Sequence, residues 1–250
     1  MLMAAAMIVG NISAAVPVKA EPAADLLVNG GFEEENLNGW IKNDWCMSGG
    51  ASMERVDGST IQPAEGNYCL KEEPAQFGSQ VTQDIGLTAG KDYWLTAQIY
   101  QTVSGSYSIG FHENEGKNGD PQFSIEPQSE VEQWVKVAVR FTMWENAQKP
   151  NLYTWLNAQS GTAYADDIKL YEAPDLSSLE EQIANARGKL GHTDVYTEDS
   201  LAALREKTDE AETYTDAHSY GAAQKTQEDV NAMAGELETA VSRSEERRVG

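Results

Sequence analysis

The chain reads KDYWLTAQIY from Lys91 to Tyr100, the clearest strand signal in the sequence. Successive side chains of a strand point to opposite faces, so the odd-numbered residues from Tyr93 to Ile99 form one apolar face. Similar patterns bounded by turn residues predict further strands at Ser52–Asp57, Asn67–Glu72, Ser79–Ile85, Tyr107–Phe111, Val135–Phe141, Asn151–Ala158 and Ala163–Glu172. Many short strands without long helical patterns between them predict a mainly β fold, an antiparallel jelly-roll-like β-sandwich.

The pattern becomes helical in the last third of the chain. All tryptophans, phenylalanines and prolines lie before residue 175. Beyond it, apolar residues recur at helical spacing in three stripes, which begin near Ser177, Thr197 and Thr226. Amphipathic helices with short connections favour a small antiparallel bundle. We therefore predict a β-sandwich over residues 25–173 and a three-helix module over residues 175–243.

The two ends of the chain differ from both regions. Residues 1–20, MLMAAAMIVGNISAAVPVKA, form an apolar run with a small-residue cleavage pattern at Ala20. We interpret this run as a signal peptide, so we expect a secreted or cell-surface protein. Residues 244–250 contain arginines that fit neither a helical stripe nor a cap, and we interpret them as a non-native tail. In that case, downstream domains of a longer parent protein follow.

The charge balance narrows the classes of partner. The 250 residues include 40 Asp and Glu against 18 Lys and Arg, a formal net charge of -22. Nucleic-acid backbones and anionic membrane surfaces need clustered basic residues, so we expect neither as a partner. The apolar run at the N-terminus is too short for a good membrane span, so we expect no membrane insertion.

The sequence shows little catalytic chemistry. It has three His and no H-E-x-x-H, G-x-S-x-G, P-loop or Cys-x-x-Cys pattern. Its two cysteines, Cys46 and Cys69, could pair in an oxidising compartment. They could equally be two small buried hydrophobic residues whose Cα atoms never approach within about 7 Å. We expect no catalytic machinery in this chain, and the pairing of the cysteines stays open.

Several motifs occur in a characteristic order: LVNGGFE at 27–33, LNGW at 37–40, EGNYCL at 65–70, QDI at 83–85, LTAGKDY at 87–93 and YADDIKL at 164–170. Together they resemble the CenC-like carbohydrate-binding modules. The resemblance implies a galactose-binding-like β-sandwich with polysaccharide or oligosaccharide glycan as its partner. The segment VYTEDSL at 195–201 and the apolar stripe at 230–241 resemble the FIVAR module, which accompanies extracellular sugar-active proteins.

Glu33, Asp166 and Asp167 are candidate calcium ligands. Calcium takes oxygen ligands from carboxylates that often come from distant parts of the chain. These three carboxylates converge if the first and last strands of the sandwich pair. Modules of the resembled family commonly hold a structural calcium, and the resemblance implies Glu33 and Asp167 as its ligands. The alternative is that Asp166 and Asp167 make hydrogen bonds at a turn or a strand end.

Aromatic and polar side chains on the non-core faces of the strands are candidate sugar-binding residues. Pyranose rings stack their C–H groups on flat aromatic rings, while their hydroxyls need fixed polar partners. The candidates are Trp94, Gln98, Tyr100, Arg140, Tyr153, Trp155 and Trp45. Alternatively, one of these faces packs against the helical module or a loop, and Trp45 anchors its own loop. Trp40, Trp134 and Phe141 are assigned to the core.

These patterns favour a secreted, non-catalytic carbohydrate-binding module that targets a larger modular glycoside hydrolase or surface protein to glycan. The first alternative is an adhesion or structural protein whose sandwich binds protein partners. The second is the front end of a glycosidase whose catalytic domain lies beyond the C-terminal residue of this chain.

Overall fold

The computed structural model describes residues 23–112, 122–192 and 195–246. The predicted signal peptide and the last four residues of the predicted tail lie outside this part of the chain. The strands within it are β1 (Ile41–Lys42), β2 (Ser52–Asp57), β3 (Tyr68–Glu73), β4 (Val81–Asp84), β5 (Asp92–Gln101), β6 (Tyr107–His112), β7 (Gln122–Ser124), β8 (Val135–Thr142), β9 (Asn151–Leu156) and β10 (Ala163–Glu172). The α-helices are α1 (Asp44–Ser48), α2 (Ser177–Leu190), α3 (Glu198–Thr215), α4 (Tyr220–Ala223) and α5 (Gln227–Glu246).

The strands form two five-stranded antiparallel sheets that pack face to face. Sheet A has the strand order β1-β4-β9-β6-β7, and sheet B has the order β2-β3-β10-β5-β8. Their inner faces share one hydrophobic core, to which Leu95 and Leu70 contribute from sheet B, and Ile109 and Leu152 from sheet A. The predicted antiparallel β-sandwich followed by helices is confirmed.

Each sheet leaves one face directed away from this core, because strand side chains alternate. In β5, Leu95 lies in the core and Trp94 on the opposite side. In β9, Leu152 and Leu156 lie in the core, so Tyr153 and Trp155 face outward. We call these two outward sides the sheet A face and the sheet B face. A function on the sandwich surface has these two candidate locations.

The three long helices pack around a second core, whose members include Leu179, Leu204 and Leu237. A capping pair is present at the start of α5: the N–H of Thr226 donates to Asp229 Oδ2 at 2.9 Å, and the N–H of Asp229 donates to Thr226 Oγ1 at 3.2 Å. The helix α4 was not predicted from the sequence. In the described part of the chain, no helix is both long and apolar enough to cross a membrane.

The helical bundle docks on one end of the sheet B face through α4. Trp94 and Ala138 of the sheet form a buried cluster with Ala222 and Ala223 of α4. The hydroxyl of Tyr171, on the adjacent strand β10, donates a hydrogen bond to the carbonyl of Ala223. Because small alanine side chains face the indole, the helix backbone approaches the sheet closely. The sandwich and the bundle are therefore joined by a packed contact as well as by the chain.

The two cysteines are buried and both are free. Cys46 lies on α1 and belongs to the core between the sheets. In β3, Leu70 occupies the core, so the neighbouring Cys69 projects to the sheet B face. Burial raises the pKa of the Cys46 thiol to about 11 and that of Cys69 to about 12. The cysteines do not form the disulfide that the sequence allowed, because they lie on opposite sides of sheet B.

Candidate functional site

The sheet A face carries the predicted residues Tyr153 and Trp155, both from β9. The Tyr153 ring stacks on His112 of the neighbouring strand β6, with 4.4 Å between ring centroids. Gly110 makes this position possible: a Cβ there would lie 2.8 Å from the Tyr153 hydroxyl and 2.2 Å from the backbone oxygen of Phe123. Tyr153 is only 6% exposed, and this burial raises the pKa of its phenol. The ring lies across the sheet rather than standing out of it.

Trp155 continues the aromatic surface toward α1. Its ring lies over Gly78, where a Cβ would approach the indole to 3.2 Å and where φ is +78°. The adjacent Phe77 stacks on Trp45, with ring centroids 4.5 Å apart and planes 15° from parallel. Trp45 is 54% exposed. We call Trp45, Phe77, Trp155, Tyr153 and His112 the aromatic band.

Local hydrogen bonds hold Trp45 in this position. Asn43 accepts hydrogen bonds from the backbone N–H groups of Trp45 (3.0 Å) and Cys46 (3.2 Å), so it caps the N-terminus of α1. Its amide also donates to Gln80 Oε1 at 2.8 Å, which ties α1 to the segment before β4. The sequence placed Trp45 in a loop, whereas the structure places it on a short capped helix. The role of Trp45 at one end of a groove stays a prediction.

Polar side chains lie beside the aromatic band. Asn151 of β9 donates from its amide to Asp84 Oδ1 of β4 at 2.7 Å. Two outward side chains add hydroxyl groups. Thr82 lies between Ile41 and Tyr153 in the strand register, and Ser108 lies opposite Trp155. The face therefore combines flat rings with amide, hydroxyl and carboxylate groups. This is the combination that pyranose rings and their hydroxyls require.

The remaining predicted ligand residues lie on the opposite, sheet B face. Trp94 is 1% exposed because α4 covers it, so the prediction that it projects from an open face is wrong. Arg140 is also engaged with the bundle, since its guanidinium lies 3.5 Å from the Glu180 carboxylate. Its backbone N–H donates to the carbonyl of Ala217 at 2.7 Å. The alternative in which this face packs against the helical module holds for these two residues.

Gln98 and Tyr100 lie farther along the sheet B face, beyond the buried cluster that α4 forms with Trp94. Gln98 is opposite Lys136 in the strand register, and Tyr100 is opposite Tyr164. Trp134 contacts Tyr100 and is half-buried on this outer side. The assignment of Trp134 to the core was wrong. Trp134 lies just before β8, and the alternation of side chains along that strand places its indole on the outer side. The predicted ligand residues are therefore divided between two faces.

Glu33, a predicted calcium ligand, binds backbone N–H groups. Its Oε1 accepts from the N–H of Asn67 at 2.7 Å and from that of Tyr68 at 3.1 Å. Burial opposes ionisation of Glu33, but these hydrogen bonds outweigh it and lower the pKa of the carboxyl. Gly66 permits this approach, because its φ is +62° and a Cβ there would lie 2.2 Å from Glu33 Oε1. Glu33 thus ties the N-terminal segment to the start of β3.

Asp166 and Asp167 are also engaged by nitrogen donors. Asp166 accepts from the N–H groups of Glu65 at 2.9 Å and Asp167 at 2.7 Å, and burial raises the pKa of its carboxyl to about 6. Asp167 forms an ion pair with Lys169 at 2.6 Å. Over the described ranges, no group of three or more His, Cys, Asp or Glu could hold a metal ion. As arranged, these carboxylates do not form a calcium cage, and calcium binding stays a prediction.

Sequence reasoning missed Phe77 and His112 as members of the aromatic band. His112 was identifiable as an outward residue, because it alternates with Ile109 and Phe111. Phe77 lies in a connection without strand periodicity, so nothing in the sequence placed its ring against Trp45. Tyr153 and Trp155 alternate with the core residues Leu152 and Leu156, so they lie on the outer side of β9, and their role in binding sugar stays a prediction.

Comparisons with known proteins give one family match and a set of similar solved structures. Residues 24–161 match the family CBM_4_9, described as a carbohydrate binding domain. The chain is similar to the structure titled "Family 16 Carbohydrate Binding Module-2", with 24% identity and a TM-score of 0.45 over 59% of this chain and 100% of that chain. It is also similar to the CBM22-1 xylan-binding domain of Xyn10C from Paenibacillus barcinonensis, with 14% identity and a TM-score of 0.47 over 61% and 97%. No curated protein matches the chain.

Proposed function

Because the chain belongs to the carbohydrate-binding domain family CBM_4_9, we propose that its sheet A face binds a glycan chain. The aromatic band is the observation that carries this proposal. Its members line up across one face, from the exposed and stacked Trp45 to Tyr153 and His112. Flat rings at the surface of a sheet match the C–H side of a pyranose, and aromatic contacts of this kind supply binding energy beyond simple burial.

The spacing of the band favours a chain of several sugar units over a single sugar. Tyr153 and Trp155 are two residues apart on β9, which separates their Cα atoms by about 7 Å. Trp45 and Phe77 extend the aromatic surface beyond Trp155. A glycan lying along the band therefore meets several rings in succession. The internal part of a polysaccharide chain suits such a surface better than a chain end does.

The polar groups beside the band favour an uncharged glycan. Asp84, which is exposed, accepts from Asn151 and retains acceptor capacity for sugar hydroxyls. A uronate carboxylate on the glycan would be repelled by this aspartate and by the net charge of -22. We therefore expect neutral polysaccharides to bind better than polyuronates do.

We further propose a setting for this module, similar to CenC-like modules, in which it is secreted and accessory to a larger glycoside hydrolase or surface protein. The bundle, which resembles a FIVAR module, docks on the sheet B face, so the sheet A face stays accessible when domains follow the bundle. Single binding modules are usually weak, and they gain from being linked to other domains. In this arrangement the module holds its parent protein near polysaccharide.

The test is binding of the full chain to xylan, barley β-glucan and β-1,4-galactan by pull-down and affinity electrophoresis. We expect one or more of these polysaccharides to bind, and we expect Trp45→Ala and Trp155→Ala each to weaken binding about tenfold. Tyr214→Ala, an aromatic substitution on the bundle, is the matched control and should leave binding unchanged. Binding that persists in the Trp45→Ala/Trp155→Ala double variant would contradict the choice of face. A wild-type chain that binds no glycan but retains a protein partner would favour the adhesion alternative.

A further inference from the structure

A second aromatic cluster lies on the sheet B face, beyond the buried cluster that α4 forms with Trp94. Tyr100 of β5 contacts Trp134 and Tyr164, with ring centroids 5.8 Å and 5.5 Å away. The planes of these neighbours stand 62° and 84° from that of Tyr100, so the rings meet edge to face. We call Trp134, Tyr100 and Tyr164 the sheet B cluster. Tyr100 and Tyr164 are paired on adjacent strands, and Trp134 immediately precedes β8 on the other side of Tyr100.

The sheet B cluster differs from the aromatic residue at the other end of the same face. Trp94 is 1% exposed beneath α4, whereas all three rings of the cluster remain half-buried. The loop between β2 and β3 reaches the edge of the cluster, where the carbonyl of Gln62 accepts from the Trp134 indole at 2.9 Å. This bond fixes the indole and forms one border of the cluster. The indole is therefore held in place, and the three rings keep part of their surface exposed.

The polar groups of the cluster are free to meet a ligand. The hydroxyls of Tyr100 and Tyr164 and the amide of Gln98 make no hydrogen bond to a described residue. Two lysines lie beside these groups: Lys71, opposite Tyr164, is 2.8 Å from the Glu73 carboxylate, and Lys136, opposite Gln98, lies 5.2 Å from the ring centroid of Tyr220 on α4. Fixed rings with unpartnered hydroxyl and amide groups suit a neutral, hydroxyl-rich ring. A purely structural aromatic cluster needs no such free polar groups.

We propose that the sheet B cluster is a second glycan-binding surface, which takes an uncharged pyranose chain on the side of the sandwich opposite the aromatic band. This inference rests on the proposed function of the sheet A face. Because the faces point in opposite directions, one glycan segment cannot occupy both. The module is then bivalent and cross-links two polysaccharide chains, or two stretches of one chain, with a gain in avidity.

The test compares binding stoichiometry on both faces in the full chain. Isothermal titration uses xylohexaose, cellohexaose and β-1,4-galactohexaose, and a cross-linking assay uses beads coated with the parent polysaccharides. We expect two sites per chain in the wild type and one in each face variant, Trp45→Ala/Trp155→Ala and Tyr100→Ala/Trp134→Ala. Beads should aggregate with the wild type but with neither variant. Tyr164→Ala, outside the Gln62 contact, is the fallback if the second variant does not fold.

The outcomes separate this inference from the proposed function. One site in the wild type, abolished by Trp45→Ala/Trp155→Ala, overturns the second surface and leaves the sheet A proposal intact. No binding of any of the three glycans overturns both. A third outcome is that Tyr100→Ala/Trp134→Ala binds as many glycans per chain as the wild type but sediments as a monomer where the wild type is a dimer. This outcome shows that a second copy of the chain covers the sheet B cluster, and it also overturns the inference.

Discussion

Glu72 is a carboxyl group buried between the two sheets, and its substitution by glutamine tests the electrostatics of the core. It lies on β3 and is 0% exposed. Its Oε1 accepts hydrogen bonds from the hydroxyls of Tyr107, at 2.9 Å, and Thr154. Among the described residues, neither Oε2 nor the Ser79 hydroxyl has a partner with good hydrogen-bond geometry. The Ser79 hydroxyl nevertheless lies close enough to the carboxyl to lower the pKa of Glu72. Burial raises the pKa of Glu72 above its usual value of 4.5, and the hydroxyl donors offset only part of this effect.

The sign of the pH dependence follows from this raised pKa. At pH values between the pKa of Glu72 in the unfolded state and its higher pKa in the native state, the native state binds the Glu72 proton more strongly than the unfolded state does. The free energy of unfolding therefore falls as pH rises through that window, by about 1.4 kcal/mol per pH unit, and levels off above the native pKa. Below the window the stabilisation is fully present, because Glu72 is protonated in both states.

Glu72→Gln removes this titration and keeps the hydrogen bonds. The amide oxygen still accepts from Tyr107 and Thr154, and the amide N–H₂ supplies a donor for Ser79. We expect the variant to match the wild type within about 1 kcal/mol at pH 5 and to become the more stable protein as pH rises. Glu72→Ala instead leaves two hydroxyls without an acceptor and opens a cavity, and we expect a loss of about 3 kcal/mol or more.

The assay is urea denaturation of the full chain at several pH values from 5 to 8. Asp166, whose pKa is raised to about 6, also titrates in this range. It does so in both proteins, so the difference between the two curves isolates Glu72. Glu54→Gln, an exposed carboxyl on β2, is the control and should follow the wild type. Parallel curves for the wild type and Glu72→Gln would refute the reasoning, and so would a glutamine variant that is less stable at every pH.

Three further predictions concern the segments around the site. Gly66→Ala places a Cβ against the Glu33 carboxylate at a backbone φ of +62°. We therefore expect urea denaturation to show a free energy of unfolding about 2 kcal/mol lower than that of the wild type. Unchanged stability would show that the loop relaxes freely. Trp94→Ala removes the indole that α4 covers. We expect X-ray scattering to show a larger radius of gyration, while glycan binding on the sheet A face persists. An unchanged scattering curve would contradict the docked interface. Calcium at the predicted carboxylates must displace Lys169 from Asp167. If calcium binds there, the melting temperature of the wild type should be higher in millimolar calcium than in chelator. This increase in melting temperature should be larger in Lys169→Met than in the wild type. Identical melting with and without calcium would count against the site.

The fold was predictable because core residues recur in the sequence with the period of the strand or helix that carries them. Alternation in residues 91–100 and 163–172 identified β5 and β10, and the helical stripes identified α2, α3 and α5. A core residue must recur every second strand position or every third to fourth helix position, so its signal accumulates along the sequence. The short helix α4 carries no such signal, since four residues do not complete a periodic stripe.

The site was only partly predictable, because alternation tells which side of a sheet a residue faces but not what lies over it. Trp94 and Trp155 have the same outward pattern in the sequence, yet α4 buries the first, whereas the second stays half-buried. The sequence did not show that Glu33 accepts hydrogen bonds from backbone N–H groups, which approach it because Gly66 turns the chain toward it. Contacts of this kind depend on loops and turns, whose geometry has no repeating pattern.

Docking of the bundle thus determines which sandwich surfaces are available. The two sheets offer equivalent outward strands, and the small side chains Ala222 and Ala223 allow α4 to bury Trp94 closely. Larger side chains at these two positions would hold the helix away from the sheet and expose a further indole beside Thr96 and Gln98. The sheet A face would not change, because α4 docks on the opposite side of the sandwich. Ligand binding on sheet A and docking on sheet B can therefore vary independently, while the sheet B cluster is limited by the position of the helix.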